Sequence, residues 1–307
     1  MANYGLKVSR VGYDVKTADP DELVFSSKYK TLRVKQQGSG TVTESGGRTV
    51  TIAHNLGYVP MFLVHGSGDT GFGASSSNYY INPYTPVITG GEYLRRQVRS
   101  YADSTNLYIT LGNDFGWKYA GTEREENNYG FESDPGYNVG GCAVGRDDDN
   151  NWGSEDGALR FNGVAVSSSV YKAELAFYID ARLGSGDVKT VIYGIDEDDT
   201  NDFGSSPFGR DRTSNSNTET CDSGISAGDT WAVTVTSIFN EIVGRGGWSS
   251  GNNMGFLYID NSTENQNDIY INHEDDGGFY ESWSHLRWLT SNTLLNYKYT
   301  IFYNQIE

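Results

Sequence analysis

The sequence predicts an all-β protein, and three observations lead to this prediction. Short stretches of alternating or wholly apolar residues recur along the 307 residues, and nearly all of them are too short for a typical helix. Aromatic residues are abundant, with 22 Tyr and 13 Phe, and such residues favour strands. The chain also contains 38 Gly, which is typical of strands joined by tight polar turns.

The first part of the chain has strand character at residues 5–11, 23–25 and 31–34. Residues 41–43 and 49–52 follow, separated by the turn-forming run Ser45-Gly46-Gly47, and this spacing predicts a hairpin. Residues 61–64 are wholly apolar, so they predict a short buried strand.

A second hairpin is predicted from residues 95–101 and 106–111, with residues 102–105 as its turn. Residues 296–306 form a strongly alternating strand at the end of the chain. A strand this apolar needs a sheet to join, and the stretch around Tyr108 and Ile109 is its predicted neighbour.

The middle of the chain alternates between polar loops and strands. One short helix is predicted at 237–243, with Ser237 as its N-cap, Ile238 and Ile242 on one face and Gly244 ending it. The predicted strands of this part are residues 158–161, 171–179, 188–195, 231–235, 254–259, 268–272 and 284–289.

The charge balance excludes several classes of protein. The chain has 23 Lys and Arg against 40 Asp and Glu, a net charge of −17, so we expect no nucleic-acid binding and no attachment to an anionic membrane surface. No window approaches 18 consecutive apolar residues, which predicts no membrane insertion. The first residues lack the apolar stretch of a secretory signal, so we expect no signal-led secretion.

The two cysteines, Cys142 and Cys221, show no metal-ligand spacing. Two interpretations stay open, namely two separate buried thiols or a pair on adjacent strands.

Four segments of the chain resemble a recurring N-terminal module of uncharacterised tailed-phage proteins. They are GLKVSRVGYDVKTADPDELVFSSKYKTLRV at 5–34, HNLGYVPMFLV at 54–64, YADSTNLYITL at 101–111 and the Tyr-rich LLNYKYTIFYNQ at 294–305. The last two are separated by about 180 residues.

The intervening residues are similar to a β-jelly-roll module of carbohydrate-binding-module type. The similar segments form an ordered series: 159–166, 171–181, 188–199, 231–260 and 284–288. GRGGWSSGNNMGFLYID at 244–260 is the most specific of them.

These resemblances imply a β-sandwich domain, residues 1–115 plus 290–307, with a jelly-roll domain inserted at residues 116–289. Insertions succeed at exposed turns whose ends lie close together. The alternative is two consecutive domains, with the last strand belonging to the second.

The resemblances imply a non-enzymatic structural protein of a tailed-virus particle, assembled in the infected cell. It would be a tail-fibre or tail-tip component, or a capsid decoration or head-fibre protein. Its partners would be other virion proteins, further copies of itself and host-surface glycans. Among the possible oligomers a homotrimer is favoured. Acidic loops concentrate in the jelly-roll part, so we expect that part to face solvent.

The search for catalytic motifs supports a non-enzymatic protein. The four histidines, His54, His65, His273 and His285, fit no metalloprotease spacing, and no nucleophile elbow or phosphate-binding loop is present. Two alternatives stay open: a polysaccharide-degrading enzyme with a catalytic jelly roll, which needs two acids converging in a cleft, and a secreted carbohydrate-binding module.

Two acidic runs carry the oxygen ligands that Ca²⁺ prefers, although neither has EF-hand spacing. The candidate ligands for a structural calcium are Asp147, Asp149, Asp196 and Asp198. Solvated surface charge is the alternative, and no other cofactor is expected.

Exposed aromatic rings can stack on sugars or pack against a partner protein. The candidate residues for such contacts are Tyr79, Tyr80, Tyr84, Tyr280 and Trp283. Trp248 lies in the most specific part of the second resemblance, and we expect it in the core.

Overall fold

The computed structural model describes residues 7–9, 11–17, 23–26, 33–67, 79–80, 98–113, 115–121, 129–133, 136–139, 142–147, 153–262, 267–272 and 284–303. The protein is 57% strand and 4% helix with curled sheets, which confirms the all-β prediction.

The strands before the helix are β1 (Lys7–Ser9), β2 (Leu23–Ser26), β3 (Arg33–Thr43), β4 (Thr49–Ala53), β5 (Phe62–Ser67), β6 (Tyr79–Tyr80), β7 (Val98–Ala102), β8 (Asn106–Leu111), β9 (Lys118–Gly121), β10 (Tyr129–Ser133), β11 (Gly136–Val139), β12 (Ala143–Asp147), β13 (Gly153–Phe161), β14 (Lys172–Leu183), β15 (Val188–Ile195), β16 (Arg212–Cys221) and β17 (Thr230–Thr234). They are followed by helix α1 (Thr236–Val243) and by β18 (Met254–Asp260), β19 (Asn267–Asn272), β20 (His285–Leu289) and β21 (Thr293–Tyr303).

The chain divides into two compact units. Unit 1 consists of residues 1–116 and 293–307, and unit 2 consists of residues 117–292. The interpretation of unit 2 as a domain inserted into a β-sandwich stays a prediction. α1, at eight residues, is too short to cross a membrane, and no other described helix is long and apolar enough to do so.

Unit 1 contains three separate sheets in its described part. β1 pairs with β2, a four-stranded sheet has the order β3-β21-β5-β6, and a three-stranded sheet has the order β4-β8-β7. All of these pairings are antiparallel.

The predicted hairpin of residues 41–43 and 49–52 is wrong, because β3 and β4 belong to different sheets. The turn between them carries the chain from one sheet to the other. Its backbone bends tightly, with Arg48 in the left-handed region at φ 60°, and Gly46 N donates to Thr43 Oγ1 at 3.0 Å. The Arg48 guanidinium secures this turn, donating to the carbonyl oxygens of Gly112 at 2.7 Å and Phe115 at 3.0 Å.

The predicted neighbour of the last strand is also wrong. β21 pairs with β3 on one side and β5 on the other, whereas β8, with Tyr108 and Ile109, pairs with β4 and β7. Glycines explain the preference for β3, since Tyr297 pairs with Gly40 and Tyr299 with Gly38. A Cβ at Gly40 would lie 2.5 Å from the Tyr297 hydroxyl oxygen, so the ring occupies the space that a side chain would fill.

The second predicted hairpin is confirmed, since β7 and β8 pair around residues 103–105. Asp103 organises the turn by accepting hydrogen bonds from the backbone N–H groups of Thr105 at 2.6 Å and Asn106 at 2.7 Å. These bonds to the charged form keep the pKa of the Asp103 carboxyl well below its usual value.

Residues 62–64 of the predicted apolar run begin strand β5, but the run is not buried throughout. Val64 is buried, whereas Met61 and Leu63 are exposed by 48% and 44%. The strand therefore has one buried and one exposed face, because alternate side chains point to opposite faces of a sheet.

Unit 2 contains one large, branched sheet of 12 strands. Its main path is β16-β15-β18-β13-β12-β19-β14-β20-β9, with β10 and β11 attached at β13 and β17 attached at β14. This arrangement is consistent with a jelly-roll-like fold.

The core of unit 2 lies between its curled parts. Aromatic rings fill much of it, and Phe177 meets Tyr258 edge-on at a centroid distance of 4.9 Å. Helix α1 adds Ile238 and Ile242 to this core. A Cβ at Gly194 would lie 2.7 Å from Ile242 Cδ1, so the glycine allows α1 to lie close against β15.

The helix is confirmed, but its predicted N-cap is wrong. α1 begins at Thr236 after Val235, no side chain caps it, and Ser237 is exposed. The Thr236 hydroxyl instead accepts a hydrogen bond from the Ala173 N–H of β14 at 2.9 Å. The start of the helix is therefore set by attachment to the sheet rather than by a local cap.

Thr236→Val should lower the free energy of unfolding by about 1–3 kcal/mol, because it leaves the Ala173 N–H without its acceptor. Thr236→Ser keeps the hydroxyl and should cost much less. Ser237→Ala should change stability by less than about 0.5 kcal/mol. Urea unfolding followed by tryptophan fluorescence measures all three, and a larger loss for Ser237→Ala than for Thr236→Val would restore Ser237 as the cap.

Candidate functional site

Two aspartates of the acidic run after β15 bind one arginine, while Glu197 between them pairs with Arg210. Arg245, just beyond α1, pairs with Asp196 through Nη1 and with Asp198 through Nε, the latter at 2.8 Å. These bonds and the two negative charges raise the pKa of the guanidinium further. Two of the four predicted calcium ligands therefore hold Arg245 between them.

Further bonds attach the same run to the segment that follows Arg245. Asp199 Oδ1 accepts from the backbone N and from Nδ2 of Asn253, both at 2.8 Å, and Asn252 Nδ2 donates to Asp198 O at 2.9 Å. The segment 244–260, which carries the most specific resemblance, thus has a structural task in unit 2. It clamps the acidic run to the end of β15.

The other two predicted calcium ligands are less well defined. Asp147 ends β12, but its side chain, like the whole of Asp149, lies outside the described residues. Across the described part of the chain, no group of three or more His, Cys, Asp or Glu could hold a metal ion. Calcium binding stays a prediction.

Two acids of unit 2 are fully buried on the two strands that flank β12. Glu155 on β13 and Asp268 on β19 are both in register with Gly145 of β12, and both are 0% exposed. A polysaccharide-degrading site needs acids that a substrate can reach. This pair has no contact with solvent.

A cluster of charged side chains surrounds Trp117 at the start of unit 2. Glu174 Oε2 accepts from Arg287 Nε at 2.9 Å and from Nη2 at 2.7 Å, and its Oε1 lies 2.8 Å from Lys172 Nζ. Both cations also lie over the indole ring, with Arg287 Cζ 4.7 Å and Lys172 Nζ 5.4 Å from its centroid. The ring is thus covered by its own chain and offers little surface to a ligand.

Burial by itself would raise the pKa of the Glu174 carboxyl, but its bonds to Lys172 and Arg287 outweigh this effect, so the pKa lies below its usual value. A carboxyl group whose pKa is lower in the folded than in the unfolded protein stabilises the fold at pH values above its unfolded pKa, about 4.3. This stabilisation is lost as the pH falls through the pKa of the folded state.

The predicted aromatic contact residues are only partly described. Tyr79 and Tyr80 form β6, where Tyr80 pairs with His65 of β5. Tyr84, Tyr280 and Trp283 lie outside the described residues. Trp248 is partly exposed but packs against the core of unit 2, and its Nε1 donates to Val166 O at 2.9 Å. The prediction that it is a core residue is therefore confirmed for a position at the margin of the core.

The histidines and cysteines have structural positions where they are described. His54 is buried, and its Nδ1 accepts from the Leu56 N–H at 3.2 Å, which orders the turn before β5. His285 is buried beside Tyr119, and His273 lies outside the described residues. Cys142 and Cys221 are separate buried thiols, and burial raises the pKa of both.

A groove of about 770 Å³ crosses the four-stranded sheet of unit 1. Most of its described lining residues belong to the exposed face, which carries the residues that alternate with Tyr297 and Tyr299 along β21. Both tyrosines and their partners Gly38 and Gly40 also border the groove. Lys298 stands at the middle of the groove, in register with Ser39 of β3 and His65 of β5. Sequence reasoning missed this site, because its residues come from three strands that meet only in the folded sheet.

A scan against protein-family models finds no match to this sequence, and a search of curated proteins finds no similar sequence.

Replacing Glu174 by Gln should lower the free energy of unfolding by about 1–3 kcal/mol at pH 7. The difference from the unaltered protein should shrink as the pH falls below the unfolded pKa of about 4.3 and through the lowered folded pKa, since the carboxyl then loses its charge. Urea unfolding at a series of pH values measures this. Asp180→Asn, at an exposed position, is the control and should change the free energy of unfolding only slightly at every pH. A loss of stability in Glu174→Gln that does not vary with pH would contradict the ion-pair account.

The Arg245 clamp predicts a measurable coupling between Arg245 and Asp196. A double-mutant cycle of Arg245→Gln, Asp196→Asn and the double variant should give a coupling of about 0.5–1 kcal/mol, a modest value because both groups are partly exposed. Thermal or urea unfolding supplies the four free energies. A coupling of zero would show that the contact contributes nothing to stability.

Proposed function

We propose that this chain is a non-enzymatic structural component of a tailed-virus particle. In this proposal unit 1 attaches the protein to the particle, and unit 2 is displayed for contact with a host surface or its glycans. The protein would be part of a tail fibre or tail tip, or a capsid decoration or head fibre.

One observation carries the proposal. The four segments that resemble the tailed-phage module, at 5–34, 54–64, 101–111 and 294–305, all fall in unit 1. The segments similar to the jelly-roll module, from 159 to 288, all fall in unit 2. The division made by contacts within the fold thus coincides with the division made by the two resemblances.

The distribution of charge supports the same assignment of roles. Unit 2 contains the acidic runs at 147–156 and 196–202, and an acidic surface favours solubility and discourages nonspecific association. Arg245 binds Asp196 and Asp198, and Asn253 binds Asp199, so these three acids stabilise a loop. This suits a displayed scaffold better than a catalytic centre.

Purified particles of the virus that encodes the chain test the proposal. Mass spectrometry of gradient-purified virions should find the protein in a fixed ratio to the major capsid protein. Immunogold labelling with antibodies against unit 2 should mark one defined position on intact particles. Absence from purified virions would defeat the proposal, and recovery from the culture medium instead would favour a secreted carbohydrate-binding module.

The oligomeric part of the proposal has its own measurement. Symmetric positions on a particle favour closed oligomers, and we propose a homotrimer. Light scattering coupled to size-exclusion chromatography of the purified protein should give three times the 33.8 kDa chain mass. A monomer at micromolar concentration would contradict this part alone.

A further inference from the structure

We propose that the groove on the exposed face of β3, β21 and β5 binds a carboxylated oligosaccharide. This inference goes beyond the proposed function, which assigns only attachment to unit 1. It depends on the geometry of unit 1 and not on the position of the protein in a particle.

The central row of the groove supplies the one lysine or arginine among its described lining residues. This residue, Lys298 of β21, lies directly between Ser39 of β3 and His65 of β5. Residues that pair in this way across adjacent strands project from the same face of the sheet, about 5 Å apart. An ammonium, a hydroxyl and an imidazole can therefore reach one ligand.

The flanking rows supply hydroxyl and amide groups. Thr41 pairs with Asn296 on one side of the central row, and Gln37 pairs with Thr300 on the other. Hydroxyls and amides both donate and accept hydrogen bonds, which matches the hydroxyl groups of a sugar. Five of the six residues named on β3 and β21 are exposed, and Thr300 is half-buried.

The charge of the groove selects an acidic ligand. Neither Asp nor Glu is among the lining residues that the structure describes, although the chain as a whole has a net charge of −17. Within the described part of the chain, Lys298 forms no ion pair. A carboxylate bound at this ammonium gains a charge-assisted hydrogen bond. The net negative charge of the chain disfavours binding of the carboxylate at other positions on the protein.

The size and position of the groove favour a saccharide over a peptide. Its volume of about 770 Å³ is within the usual range of small-ligand sites, ~300–1,000 Å³. An extended peptide typically binds along the edge of a sheet through its backbone, whereas this groove lies across the face, where side chains and not backbone groups are presented.

NMR titration of the isotope-labelled, full-length protein with trigalacturonate tests the proposal. The backbone amides of Ser39, His65 and Lys298 should shift in a saturable manner, while those of α1 should not. Lys298→Gln should weaken binding about tenfold or more, because the charge-assisted bond is lost. Lys189→Gln, a matched change in unit 2, should leave the affinity unchanged.

Three further measurements make the result decisive. Maltotriose, a neutral trisaccharide of equal length, should bind at least about tenfold more weakly than trigalacturonate. Triglutamate should also bind weakly, and equal binding of this peptide would overturn the assignment to a saccharide. The proposed site would be overturned if no amide shifts, or if only residues outside β3, β5 and β21 shift. The amide spectrum of the Lys298→Gln variant should match that of the unaltered protein away from the groove, which excludes misfolding as the cause of lost binding.

Discussion

Unit 1 depends on the pairing of β21 with β3 and β5. β21 is the middle strand of its sheet, and its register with β3 brings Tyr297 over Gly40 and Tyr299 over Gly38. Glycine lets the tyrosine rings lie directly against the neighbouring backbone, which strengthens a pairing between strands about 250 residues apart. If β21 were absent, the strands β3 and β5 would lose their common neighbour, and the exposed face of the sheet would not exist.

Unit 2 is stabilised by contacts that tie its loops to its sheet. Arg245 gathers the acidic run after β15, Thr236 attaches the helix to β14, and Glu174 joins two cations beside Trp117. Apart from the pair of Lys172 and Glu174 on β14, each of these contacts joins elements far apart in sequence, so it forms only when the sheet has assembled. The most distinctive sequence of this unit, 244–260, is therefore explained by architecture before any ligand is considered.

The two proposals place different demands on the molecule. Attachment and display require a stable scaffold with well-held loops, which unit 2 provides through its clamp and its aromatic core. Ligand binding in unit 1 requires an exposed set of polar groups on a rigid base, and strands hold such groups more firmly than loops do. A particle protein can meet both demands, because unit 2 supplies the scaffold and the exposed face of the four-stranded sheet in unit 1 supplies the binding groups.

Local patterns were enough to predict the all-β class, the hairpin of β7 and β8 and the existence of α1, because these depend on alternation, turn residues and helical spacing within short windows. The folded structure was needed to show that β3 and β4 enter different sheets, that β21 joins β3 and β5, and that Thr236 rather than Ser237 anchors the helix. It was also needed to show that Asp196 and Asp198 meet Arg245, and that Ser39, His65 and Lys298 share one face. The physical reason is that strand partners and ion pairs are chosen by long-range packing, and a local pattern says which residues face inward but not which strand they meet.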